Sequence, residues 1–150
     1  AEAAVSQAVW PARMQRLVRG PLREMAPGAG LWLDGGHNPA AGQTIAATLS
    51  ALPDRPTYLI CGMLNTKDVV GFMLPLVGMA TRLYAVSIPN EQNTLSAAAT
   101  TAAAQKAGLT AAPAESVAAA LAAIMAESPN ARVLICGSLY LAGSILRENG

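Results

Sequence analysis

Between Leu33 and Pro39 the chain sets a carboxylate (Asp34), an imidazole (His37) and an amide (Asn38) around two glycines, Gly35 and Gly36. Such glycines let backbone N–H groups approach a ligand, and a helix opening at Pro39 turns its anion-favouring amino terminus toward the same place. Asp34 is suited to accept hydrogen bonds from the vicinal hydroxyls of a sugar, as acidic residues at strand ends do in nucleotide sites. His37, the only histidine, is suited to donate to a carboxylate or phosphate, or to shuttle a proton. The plainer reading is that Asp34 and Asn38 cap the following helix, the glycines supply turn geometry, and His37 lies half exposed. Composition weighs the two readings equally.

Two further turns carry polar groups. In Gly62-Met63-Leu64-Asn65-Thr66-Lys67-Asp68, Lys67 either reaches a phosphate or pairs with Asp34, or it is a solvated lysine beside a capping aspartate, the plainer option. In Gly137-Ser138-Leu139-Tyr140, Ser138 either binds a polar substrate group or caps its helix, and capping alone accounts for it. Other chemistries are excluded: the chain has no G-x-x-x-x-G-K-[ST] loop, no G-x-G-x-x-G, no G-x-S-x-G and no Cys/His spacing suited to zinc. What is left is polar groups fit to bind a nucleotide from one side, without complete machinery for phosphoryl transfer.

The elements that must position these turns are legible as alternation. Residues 57–63, 82–88 and 132–136 are continuous apolar runs of strand composition, and 30–33 is a shorter one. Segments with helical spacing and alanine runs lie between and after them, at 39–52, 68–79, 95–107, 115–126 and 138–147. This alternation predicts an α/β fold, Rossmann-like with three α/β/α layers, its mostly parallel sheet covered by helices on both faces. Asn38-Pro39 reads as N-cap and first helical residue, Thr94 or Ser96 as the cap of the 95–107 helix, and Gly108 as its end. Only the first thirty residues break the rhythm. Met14 to Arg19 and Leu22 to Met25, joined at Gly20-Pro21, are expected to form a short β-hairpin before the α/β body.

Leu59-Ile60-Cys61-Gly62 recurs as Leu134-Ile135-Cys136-Gly137. Both copies read as buried strands entering a βα turn, with cysteine as a small apolar filler rather than half of a redox pair. The 150 residues are 53% hydrophobic and 13% charged with net charge +1, which suits one compact domain and gives no basic footprint for nucleic acid. The longest apolar run, Val117 to Ala126, has ten residues, well short of the roughly 20 of a membrane span. No basic-then-apolar leader is visible at the amino terminus, so a cytoplasmic location is expected.

Taken in order, Trp10-Pro11-Ala12-Arg13-Met14-Gln15, Leu33 to Pro39, Gly62 to Asp68 and Cys136-Gly137-Ser138-Leu139-Tyr140-Leu141-Ala142-Gly143 resemble the carboxyl-terminal domain of bacterial folylpolyglutamate synthase/dihydrofolate synthase, in the Mur ligase superfamily. The resemblance covers nearly the whole chain. It implies a lid domain of a ligase that uses ATP and Mg2+ to join L-glutamate to dihydropteroate or a folate through an acyl phosphate. The phosphate loop, the magnesium ligands and most of the folate site are then expected in an amino-terminal ATPase domain, and this chain alone is expected to be inactive. By motif position Arg13 resembles an arginine on the ATP phosphates and Asp34 the aspartate on the ATP ribose. His37 resembles the histidine near the acyl phosphate and incoming glutamate, with Ser138 in the same pocket. Residues 1–9 resemble the end of the preceding domain and 10–150 the Mur ligase-like domain. Ala12 and Gly36 depart from the family's usual glycine and alanine. Two alternatives are the equivalent domain of a peptidoglycan-building Mur ligase, which shares the Asp-x-x-His-x-Pro turn, and a non-catalytic nucleotide-binding module.

Overall fold

A computed structural model describes residues 13–149. Residues 1–9 and Trp10 to Ala12, including the departure at Ala12, lie outside the described residues. Six strands form one sheet: β1 (Gln15–Arg16), β2 (Gly30–Leu33), β3 (Thr57–Cys61), β4 (Arg82–Ala85), β5 (Ala111–Pro113) and β6 (Arg132–Cys136). Their order is β1-β2-β6-β3-β4-β5, and every pairing is parallel except β1 with β2. The helices are α1 (Pro21–Met25), α2 (Pro39–Ala51), α3 (Val69–Met73), α4 (Ala97–Ala107), α5 (Val117–Glu127) and α6 (Leu139–Asn149).

Side chains alternate along the central strands, so each strand feeds two cores. Tyr58 and Ile60 of β3 and Val133 and Ile135 of β6 pack with α1, α5 and α6 through Leu22, Leu121, Ile124, Leu141 and Ile145. Leu59 and Cys61, with Leu134 and Cys136, face the other way and pack with α2, α3 and α4 through Ile45, Leu49, Phe72, Met73 and Ala104. This is the expected α/β/α layering. Burial on both faces is why β3 and β6 read as unbroken apolar runs. Cys61 and Cys136 are register partners on adjacent strands, buried and unbridged. The contact with Cys61, reinforced by burial, pushes the Cys136 thiol well above its ordinary range, as suits core fillers.

The helix starts follow their caps. Asn38 accepts from the Ala41 N–H at 2.8 Å with Pro39 at the first position, and Ser96, not Thr94, caps α4, which Gly108 ends at φ 115°. The single helix expected at 68–79 is α3 followed by a 3-10 turn, Leu74–Leu76. Pro75 has no N–H to continue the α-helical ladder. β5 was not anticipated: it is a three-residue edge strand ending in Pro113, tolerated there because an edge leaves donors unpaired.

An antiparallel pair does precede the body, but its arms differ from those expected. Gln15 and Arg16 pair with Leu33 and Trp32 of β2, while the segment expected as the second arm is the helical turn α1, with Pro21 at its start. Proline there fixes a helical φ and lacks a ladder donor, so a helical turn wins over a strand.

Candidate functional site

The sheet order explains why three turns far apart in sequence meet. β6 returns to lie between β2 and β3, all three parallel, so the turns after β2, β6 and β3 are neighbours at one carboxyl edge. In open α/β sheets that crevice is where ligands bind.

Asp34 follows β2 directly and is only 7% exposed. Its Oδ1 accepts from the Gly36 N–H at 2.7 Å and its Oδ2 from the Met14 N–H at 2.9 Å. Burial pushes its pKa above the ordinary aspartate value; the two N–H donors and the nearby Arg13 charge oppose that shift without cancelling it. Asp34 therefore does not cap α2, a role filled by Asn38. Each carboxylate oxygen has two acceptor sites, so the two backbone bonds leave capacity for ligand hydroxyls.

His37 is half-buried, and its Nδ1 lies 3.3 Å from the Gly35 carbonyl oxygen. A carbonyl only accepts, so Nδ1 carries the proton in this bond and Nε2 is the nitrogen left for a ligand. Gly35 packs closely on Leu139: a Cβ there would lie 2.5 Å from Leu139 Cδ2, which would have to move aside. That close approach brings the start of α6 against the Asp34–Asn38 turn.

Two cavities result. The larger, about 350 Å³, includes Arg13, Asp34, His37, Thr44, Ile45 and Leu139 in its walls, a size within the range of small-molecule sites. The smaller, about 130 Å³, is lined by His37, Leu64, Lys67, Gly137, Ser138, Leu139 and Tyr140. His37 and Leu139 wall both cavities. Arg13 and Asp34 thus share the larger cavity, Lys67 and Ser138 share the smaller, and His37 stands between them.

Ser138 is buried, and its Oγ accepts from the Tyr140 N–H at 3.0 Å and more weakly from the Leu141 N–H at 3.4 Å. It caps α6, and its hydroxyl proton remains to be donated. Lys67 lies on the smaller cavity, and no ion pair joins it to Asp34 among the described residues. Asp68 caps α3 through the Gly71 N–H at 2.9 Å, as the plainer reading had it. Exposed Leu139 and Tyr140 and the Ala40–Ile45 stretch of α2 were not singled out as site residues. Their signal was position, at the first turn of a helix entering the crevice. Among the described residues no group of three or more His, Cys, Asp or Glu is placed to hold a metal ion, and no helix is long and apolar enough to cross a membrane.

Residues 13–139 match the family described as Mur ligase, glutamate ligase domain. The folylpolyglutamate synthase of Lacticaseibacillus casei is 29% identical over 136 residues, which cover 91% of this chain and 29% of that protein. Two solved structures share the fold. E. coli FolC in complex with DHPP and ADP has a TM-score of 0.75 at 23% identity, over 95% of this chain and 32% of that one. Mycobacterium tuberculosis folylpolyglutamate synthase complexed with ADP and AMPPCP has a TM-score of 0.74 at 24% identity, over 91% of this chain and 31% of that one. The chain therefore spans about a third of the length of these relatives. The antiparallel pair, the parallel sheet, the clustered turns and the family match agree: the chain belongs to the Mur ligase, glutamate ligase domain family, a carboxyl-terminal domain of the folylpolyglutamate synthase/Mur ligase superfamily.

Proposed function

We propose that this domain is the ATP- and glutamate-facing lid of an ATP-dependent ligase that adds L-glutamate to dihydropteroate or a folate. The observation that carries the reading is the pair of cavities sharing His37 as a common wall, with Arg13 and Asp34 on one side and Lys67 and Ser138 on the other. In the larger cavity the Arg13 guanidinium, a fixed positive charge, faces nucleotide phosphates, and Asp34 accepts from the ribose hydroxyls. In the smaller, Lys67 and the Ser138 hydroxyl hold a glutamate carboxylate.

In the ligation step the glutamate amine attacks the carbonyl carbon of the acyl phosphate, a C–N bond forms, the C–O bond to phosphate breaks, and the amine gives up a proton. His37, between the two cavities, orients the amine and offers Nε2 to that proton. Mg2+, when bound, neutralises phosphate charge. The residues described here supply no cluster to hold it, so its ligands, the phosphate loop and most of the folate contacts are assigned to the amino-terminal ATPase domain. Residues 1–9 are read as that domain's end and 10–150 as the lid. Buried, unbridged cysteines suit a reducing cytoplasm.

The equivalent domain of a peptidoglycan Mur ligase is the second reading, since the matched family is a Mur ligase one; the folate reading is favoured by the relatives' described activity. Neither nucleic acid nor a membrane is part of the proposal. In the full-length enzyme, His37→Ala should lower turnover or weaken glutamate use more than it weakens ATP binding, as steady-state kinetics with each substrate varied would read. The opposite pattern would move His37 to the nucleotide. Ligation of a nucleotide-linked peptide in place of dihydropteroate would favour the peptidoglycan reading.

A further inference from the structure

Arg13 and Asp34 come from segments about twenty residues apart, and the main chain of one residue joins them. The Met14 N–H donates to Asp34 Oδ2 at 2.9 Å, and the carboxylate is fixed from the other side by the Gly36 N–H. Met14 has φ 42°, left-handed for a residue with a side chain. Such a conformation is costly and persists where its surroundings over-determine it. Those surroundings are clear. Immediately after Met14 the arm is docked on β2, through the Gln15–Leu33 and Arg16–Trp32 pairs, the Leu17 N–H to Leu31 carbonyl bond at 3.0 Å, and the Arg16 guanidinium 4.9 Å from the Trp32 ring centre. An extended residue 14 would carry the chain onward beside β2. The left-handed turn instead places Arg13 in the wall of the larger cavity.

We propose that Met14 is a positioning residue: its left-handed turn and its N–H clip onto Asp34 hold the Arg13 guanidinium and the Asp34 carboxylate together as one preassembled unit for a ligand bearing both a diol and an anion. Only the ligand's identity rests on the ATP reading; the clip itself rests on the Met14 and Gly36 N–H bonds to Asp34. The side chain of Met14 contributes packing at the edge of one core, and the clip belongs to the backbone. The two roles separate cleanly by substitution. Valine keeps an apolar side chain and the N–H but resists positive φ, whereas glycine loses the whole side chain and adopts positive φ freely.

Trypsin cleaves after arginine, so the Arg13–Met14 bond reports the clip directly. Limited trypsinolysis of this chain, with products resolved by mass, would give the cutting rate at Arg13 relative to the rates at Arg19 and Arg23, which register general loosening. Met14→Val should raise that ratio about fivefold or more, and Asp34→Ala, which takes away both acceptor oxygens, about tenfold. Met14→Gly should leave it at or below the wild-type value. Glycine cutting as fast as valine or faster would assign Met14 a packing role and overturn the proposal, as would an unchanged ratio in Asp34→Ala. Titration with ATP then tests the ligand separately. Met14→Val should weaken ATP binding by about the same factor as it raises the cutting ratio, with Met14→Gly restoring it. A preserved cutting order without any change in ATP binding upholds the clip and overturns the nucleotide reading.

Discussion

Replacing Gly137 with alanine tests whether the three turns are as tightly joined as their geometry requires. Gly137 sits between β6 and the Ser138 cap with φ 109°, and a Cβ there would lie 2.6 Å from the Gly62 carbonyl oxygen, 2.7 Å from Met63 Sδ and 2.8 Å from Cys61 Sγ. The first of these is main chain of the neighbouring β3 turn and cannot rotate away. Gly78 provides the control, since it also has positive φ, 86°, but has no atom within 4 Å of the added Cβ. Gly78→Ala should therefore cost only the conformational component, about 1–2 kcal/mol. Gly137→Ala should cost that plus the overpacking of a filled site, about 1–3 kcal/mol more. The difference corresponds to a further loss of about 2–4 °C in Tm per kcal/mol for a chain of this size. Urea and thermal unfolding, followed by tryptophan fluorescence and by circular dichroism, would measure both variants. Equal destabilisation of the two to within about 0.5 kcal/mol would refute the reasoning, because it would mean that the crevice has slack where the structure shows contact.

Burial raises the Asp34 pKa, so the folded state holds this proton more tightly than the unfolded state, whose value is near 3.9. Its ionised form therefore opposes folding at neutral pH, and that opposition fades as pH falls through the raised folded value toward about 3.9. Unfolding midpoints of wild type and Asp34→Asn across pH 4–8 should show the wild type gaining on the variant as pH drops through that window. Asn38→Ala removes the acceptor for the Ala41 N–H and should cost about 1 kcal/mol in urea denaturation. The same change should loosen the turn bearing His37, read as faster amide exchange at residues 35–38.

Elements governed by one local cause are legible in the sequence. β3 and β6 are buried on both faces, so their apolar runs mark their positions, and Asn38-Pro39 and Gly108 mark helix ends through caps that act over four residues. β5 escaped because an edge strand of two alanines and a proline has no apolar signature. The Leu22–Met25 segment is ambiguous in the sequence because its few apolar residues suit either state, and Pro21 decides for the helical turn. The polar groups of the site were legible as residue types in three turns. Their meeting was legible only through the family resemblance, which put His37 and Ser138 in one pocket, because it depends on β6 returning between β2 and β3, which no local pattern encodes. The clip on Asp34 was invisible for a related reason: its donor is a main-chain N–H, which every residue but proline has, and only the fold selects Met14.

The central claim is that one edge of this sheet holds a nucleotide through Arg13 and Asp34 beside an amino acid at Lys67 and Ser138, with His37 between. Amide NMR spectra of the isotope-labelled chain, recorded during titration with ATP and separately with L-glutamate at millimolar concentrations, test it most directly. The account predicts that ATP shifts the signals of residues 13–14 and 34–38, that L-glutamate shifts those of 64–67 and 137–140, and that His37 responds to both. Responses confined to another face of the domain would contradict it.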